Sequence, residues 1–280
     1  MNNDVMRAAM DVFALLLIGY LVFRVLRFIN RTHARVGILY LAYGLMCTFF
    51  SAAYWLIHVL LDTEDYRFPF SANDVGDIGM FLLFASALAI IYKDVRKKAV
   101  LEVIGAAIFA VISVILWIVW SGEVVKDIIS GIPYAYFCCH AVRSVRLSRG
   151  FRRAEWLFFA AFALGITVVE GWISFLPEPL NIIVDSACYV IMYTMLVALM
   201  CNAFVKIVRS KTTDDAAAAV SMSAVCFAWG LSSMYMSAEP MYFFPQFCSW
   251  VSLIFFTESY ITYTTLSTPA VSPVKKEAAL

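Results

Sequence analysis

The sequence predicts an all-α polytopic bundle of transmembrane helices, and three observations lead there. Of the 280 residues, 63% are hydrophobic and 15% charged, against roughly 45–50% and about 25% in soluble domains. The apolar residues gather in runs of about 20, the length that crosses a hydrocarbon core about 30 Å thick. The runs lack the period-two alternation of barrel strands. Lipid admits only helices or closed barrels, because every backbone N–H and C=O must be paired internally.

Taken in order, the segments read as helices over 8–28, 36–61, 75–92, 100–120, 124–142, 155–176, 181–205, 216–236 and 243–266, about nine spans. A basic stretch with Arg24, Arg27, Arg31, His33 and Arg35 surrounds the end of the first. An acidic stretch with Asp62, Glu64, Asp65 and Asp74 precedes the third. The eighth segment is the weakest, because it is rich in Ala and Ser. If it and the ninth form a re-entrant or surface pair, seven spans remain. Residues 1–266 read as one transmembrane domain. Residues 267–280, with Pro269, Pro273, Lys275 and Lys276, read as a short flexible cytoplasmic tail. Arg24 and Arg27 follow the first apolar run instead of preceding it, so this run reads as a helix of the mature protein and not as a signal peptide.

Charge sets the expected orientation. Of the 21 Lys and Arg, all but Arg7, Arg67 and Lys126 lie at one set of helix ends. The positive-inside rule makes that side cytoplasmic, with the N-terminus outside and the C-terminus inside. A bacterial inner membrane, that is a plasma membrane, is the simplest location.

A hairpin pattern runs through the chain. Ascending segments carry Trp near their outer ends: Trp55, Trp117, Trp120, Trp172 and Trp229. Descending segments mostly begin near an acid: Asp11, Asp77, Asp127 and Asp185. The clearest internal match sets Asp77-Ile-Gly-Met-Phe81 against Asp185-Ser-Ala-Cys-Tyr189. Interfacial aromatic belts and dipole-complementing acids produce the same features generically. The pattern resembles the multi-pass input regions of bacterial signalling proteins. That resemblance implies a sensing role, with output supplied by a partner.

Ionisable groups inside spans cost roughly 2.5–3.5 kcal/mol at a helix centre, which singles out Glu170 and Glu258. Glu170 is read about six residues inside its span, roughly 9 Å at 1.5 Å per residue. Each reads as a proton, cation or cationic-ligand site, or else as a carboxyl hydrogen-bonded between helices. Trp172, Asp185 and Tyr189, with Trp55, Tyr134, Tyr136, Tyr193, Phe81 and Phe84, are expected near one outward-facing aromatic and acidic pocket. Such a pocket suits a small apolar or cationic ligand through burial and cation–π contact.

Other chemistry is thin. His58 and His140 fall at opposite depths, so one haem cannot use both. The seven cysteines lie in apolar runs without a CxxC pair, so neither a disulfide framework, a metal site nor a cofactor is expected. GxSxG, HExxH, P-loop and GxGxxG motifs are absent, which points away from an enzyme. A net charge of +1 gives no electrostatic basis for nucleic-acid binding. The expected partners are the bilayer, a small ligand and a protein docked on the basic cytoplasmic loops. Two functions remain: a membrane-embedded ligand sensor or signalling accessory, and a small-molecule or ion transporter with Glu170 as coupling or substrate residue.

Overall fold

The computed structural model describes residues 3–32, 36–61, 71–93, 100–148, 153–173, 175–237 and 241–268, apart from the side chains of 3, 4, 120 and 153–158. These residues form nine helices and no strand: α1 (Asn3–Thr32), α2 (Val36–Leu61), α3 (Ala72–Ile91), α4 (Val100–Ser121), α5 (Val124–Leu147), α6 (Arg153–Ile173), α7 (Leu180–Arg209), α8 (Thr213–Tyr235) and α9 (Phe243–Ser267). Six of them, α1 to α4, α7 and α8, are long and apolar enough to cross a membrane, as expected of a helical membrane bundle. His33, Arg35, the acidic stretch Asp62, Glu64 and Asp65, and residues 269–280 of the tail lie outside the described residues.

The helices alternate in direction. Ser51, late in α2, bonds Asp77, early in α3. Tyr134 in α5 bonds the Ala228 carbonyl near the far end of α8. Two same-direction pairs fit the scheme: Tyr260 of α9 with Ala87 of α3, and Arg24 of α1 with Glu258 of α9. One end of the bundle therefore carries the α2–α3, α4–α5, α6–α7 and α8–α9 turns (the hairpin end). The opposite end carries most of the described Lys and Arg (the basic end).

Neighbour packing closes a ring in the order α1, α2, α3, α5, α4, α6, α7, α9, with α8 against α5, α7 and α9. Within its span α8 is 89% buried, while the other five candidate spans are 22–39% buried. The segment that reads as weakest in the sequence is therefore a continuous helix set inside the bundle. Its Ala and Ser residues are weak in hydropathy. They are suited to close approach, since helices in lipid associate by packing and hydrogen bonding. A Cβ added at Gly230 would stand 2.5 Å from Ser249 Oγ of α9.

Three tyrosines fasten neighbours to α8 along its length. The Tyr92 hydroxyl donates to the Ala217 carbonyl at 3.0 Å, Tyr134 to Ala228 at 3.0 Å, and Tyr189 to Met236 at 3.4 Å. Between them Phe81, Phe84, Phe137, Phe227 and Phe256 form a buried aromatic cluster with centroids 5.2–6.3 Å apart. Edge-to-face and offset contacts of this kind add about 0.5–1.5 kcal/mol each beyond burial.

Candidate functional site: the α6–α7 hairpin and its cleft

In two hairpins a polar residue of the ascending helix turns toward an acid of the descending one. In α2–α3, Ser51 Oγ donates to Asp77 Oδ1 at 2.7 Å. In α4–α5, Ser121 Oγ donates to Asp127 Oδ2. The acids occupy similar places, because Asp77 and Asp185 both stand at the sixth position of their helices. The α6–α7 hairpin breaks the rule. Asp185 has no hydrogen-bond donor among the described residues, and the charged group in electrostatic contact with it is Glu170.

Glu170 is placed differently from the sequence expectation. The helix ends at Ile173 instead of about 176, so Glu170 lies in the last turn of α6. It is nevertheless only 5% exposed, and its Oε1 has no hydrogen-bond partner among the described residues. Burial comes from lateral cover by the flanking helices. The next residue, Gly171, faces Leu116 of α4, where an added Cβ would meet Leu116 Cδ2 at 3.1 Å. A carboxylate in a helix's last turn also faces the negative end of the helix dipole. A like acid across the hairpin, no donor and an adverse dipole all disfavour this group as a structural element.

On the same buried stripe of α6, below Glu170, come Thr167, Ile166 and Ala163. Ala163 lines an apolar cleft between α4, α5, α6, α7 and α8. Its floor is made of small residues, Gly105, Ala106, Ala141, Ala160 and Ala228, and its walls include Phe109, Met195 and Trp229. Phe109 and Trp229 stack at 5.7 Å with rings nearly parallel, and Trp229 Nε1 is buried without an acceptor among the described residues. The cleft encloses about 70 Å³. That is well below the roughly 300–1,000 Å³ of a pocket for a whole drug-sized molecule. It matches a single alkyl segment. Seven residues separate Ala163 from Glu170, about 10 Å along the helix.

The other expected site residues scatter. Trp172 is 67% exposed on the outer face of the bundle, against Phe175 at 5.8 Å. Tyr189 is half-buried, 5.8 Å from the Tyr193 ring, and its hydroxyl is bound to Met236. Tyr193 joins the acidic pair electrostatically and bonds Ser237 Oγ at 2.8 Å and the Met241 carbonyl at 3.1 Å. Cys188, one turn beyond Asp185, is buried within electrostatic range of both carboxyls. Glu258 is far away in contact terms: Arg24 grips both of its oxygens, Nε to Oε1 at 2.9 Å and the terminal nitrogen to Oε2 at 3.1 Å. A ligand there has to compete with that fork.

Of the remaining aromatics, Phe81, Phe84 and Tyr134 are core residues. Tyr136 is exposed beside His140, and Trp55 lies under the Arg7 guanidinium at 5.3 Å. The single expected pocket thus resolves into a carboxyl pair and an adjoining cleft. The cleft was missed because single alanines and glycines spread over four helices carry no chemical signature. Comparison with protein-family models, curated proteins and solved structures found no match, so the site is read from its own geometry.

Proposed function

We propose that this chain is a membrane-embedded sensing or signalling accessory protein. Its ligand is an amphiphile with an alkyl segment and a cationic, hydrogen-bond-donating head. One observation carries the reading: Glu170, within electrostatic range of Asp185, is buried with an oxygen that has no donor among the described residues, two helical turns beyond an apolar cleft on the same buried stripe. A protonated amine supplies the missing donors and the missing charge together, and charge-assisted bonds to carboxylates are the strong ones. The alkyl segment lies among Gly105, Ala106 and Ala160, against Trp229. Binding there draws α6 and α7 together with α4 and α8, which is how the signal reaches a partner on the basic end.

In this reading all nine helices span a plasma membrane with the basic end cytoplasmic, as the positive-inside bias favours. The test is thermal unfolding of the purified protein in detergent with a long-chain alkylamine or the alcohol of equal chain length. The amine is expected to raise the melting temperature more than the alcohol, and Glu170→Gln to erase the difference. Equal effects of amine and alcohol on the native chain sink the proposal. The buried, donorless Glu170 also supports a second reading, a proton-coupled transporter. Alkylamine uptake into proteoliposomes driven by a proton gradient, lost in Glu170→Gln, would establish it, whereas flux unchanged by that substitution excludes it.

A further inference from the structure

At the basic end a second pocket, about 90 Å³, opens between the last turn of α3 and the last turns of α5. Leu88 and Ala89 form its apolar side, and Lys93, His140 and Arg143 its polar side. Two more lining residues are already engaged: Ser144 Oγ donates to the Ala141 carbonyl, and the Tyr92 hydroxyl is held on α8 by Ala217 and Ser221. The donors left over are therefore the Lys93 ammonium, the His140 ring and the Arg143 guanidinium. The next cation along α5 is neutralised, since Arg146 pairs with Glu102 at 2.7 Å. No carboxylate among the described residues pairs with Lys93 or Arg143. Two positive charges that no described carboxylate pairs, on one small pocket, call for an anion.

The surroundings name the source of that anion. The pocket lies at the helix ends, where lipid headgroups stand if these helices cross a membrane. From it an exposed apolar stripe runs along α5 through Tyr136 and Ile132, beside exposed Leu82 on α3. A chain of methylenes can lie on that stripe while a phosphate occupies the pocket. Basic pockets between transmembrane helices at the cytoplasmic side are the usual receptors for anionic headgroups. We infer that Lys93, His140 and Arg143 form a binding site for the phosphate of an anionic phospholipid, with its acyl chain along the outer faces of α3 and α5. Arg143 binds two phosphate oxygens in its planar fork, and Lys93 adds a point charge.

The experiment titrates the full-length protein in detergent with phosphatidylglycerol or phosphatidylcholine of matched chains, and counts retained lipids by native mass spectrometry. Phosphatidylglycerol is expected to bind about tenfold more tightly, as two charge-assisted contacts allow. The pair Lys93→Gln with Arg143→Gln should erase that preference. The pair Arg209→Gln with Lys211→Gln, which removes equal charge from the same end at exposed positions, should keep it. Both substituted pairs are exposed, and an unchanged elution volume and melting temperature verify that each variant folds. If the preference survives in the first pair, or falls equally in the second, the assignment is overturned. Inorganic phosphate displacing the lipid at equal concentration would identify a free-anion site and overturn the lipid assignment as well.

Discussion

The α2–α3 and α6–α7 hairpins are drawn on one plan and solve it in opposite ways. In α2–α3 the backbones nearly touch: a Cβ at Gly76 would fall 2.9 Å from the Cys47 carbonyl oxygen and from Ser51 Cβ. That closeness brings Ser51 onto Asp77. In α6–α7 the ascending helix offers Glu170 in place of a serine, so acid meets acid. Gly165 of α6 has nothing within 4 Å of an added Cβ. One hairpin is built to hold and the other leaves its polar groups unanswered. The same arrangement of helices thus gives one polar pair that is satisfied and one that is not, and a site kept unsatisfied in the resting protein is a known trade against stability.

Substitutions can break or sharpen that contrast, and tryptophan-fluorescence thermal unfolding in detergent reads each one. The largest effect is expected from Gly76→Leu, which forces backbone against backbone and should cost about 3 kcal/mol. Gly165→Leu should stay within about 0.5 kcal/mol of the native chain. Comparable losses in the two variants would erase the packing difference between the hairpins. Next, Ser51→Ala removes the hydrogen bond that joins α2 to the Asp77 carboxylate and should cost about 1.5 kcal/mol, the range for a hydrogen bond to a charged group.

Glu170→Gln should act in the opposite direction. The amide sets a donor toward Asp185 and should stabilise by about 1 kcal/mol. A net loss there would mean that Glu170 has a stabilising partner. The smallest effect belongs to Arg24→Gln. Its pair with Glu258 is about half exposed, so screening holds the change to about 0.5 kcal/mol or less.

Much of the fold was legible in the sequence, for reasons that can be named. Apolar runs of membrane length located every helix, and α2 was bounded to the residue, because lipid leaves the backbone no other solution. Some ends shifted outward where a helix continues past its apolar run, while α6 stops short, at Ile173. α5 reaches Leu147 because Ser144 and Val145 are buried against its neighbours, and burial by another helix leaves no trace in local hydropathy. The modest hydropathy of α8 has the same root, since its residues pack against other helices.

At the site, Glu170 was legible as an acid with no interfacial excuse. Its relation to Asp185 was half legible, through the internal match between the two descending helices. Glu258 was not, because its partner lies 234 residues away. The cleft was not either, because a space is specified by the residues that fail to fill it.

The burial of α8 has a consequence for how the molecule is made. Its composition, with Ala216 to Ala219 and four serines between Ser221 and Ser233, favours helical neighbours over hydrocarbon. Its neighbours α5 and α7, with the Tyr92, Tyr134 and Tyr189 hydroxyls that bind it, precede it in the chain. When α8 emerges during synthesis, α5 and α7 are already present, and α9, its most extensive neighbour, follows directly. The order of the helices along the chain therefore makes α8 and α9 a tightly packed pair that completes the bundle last.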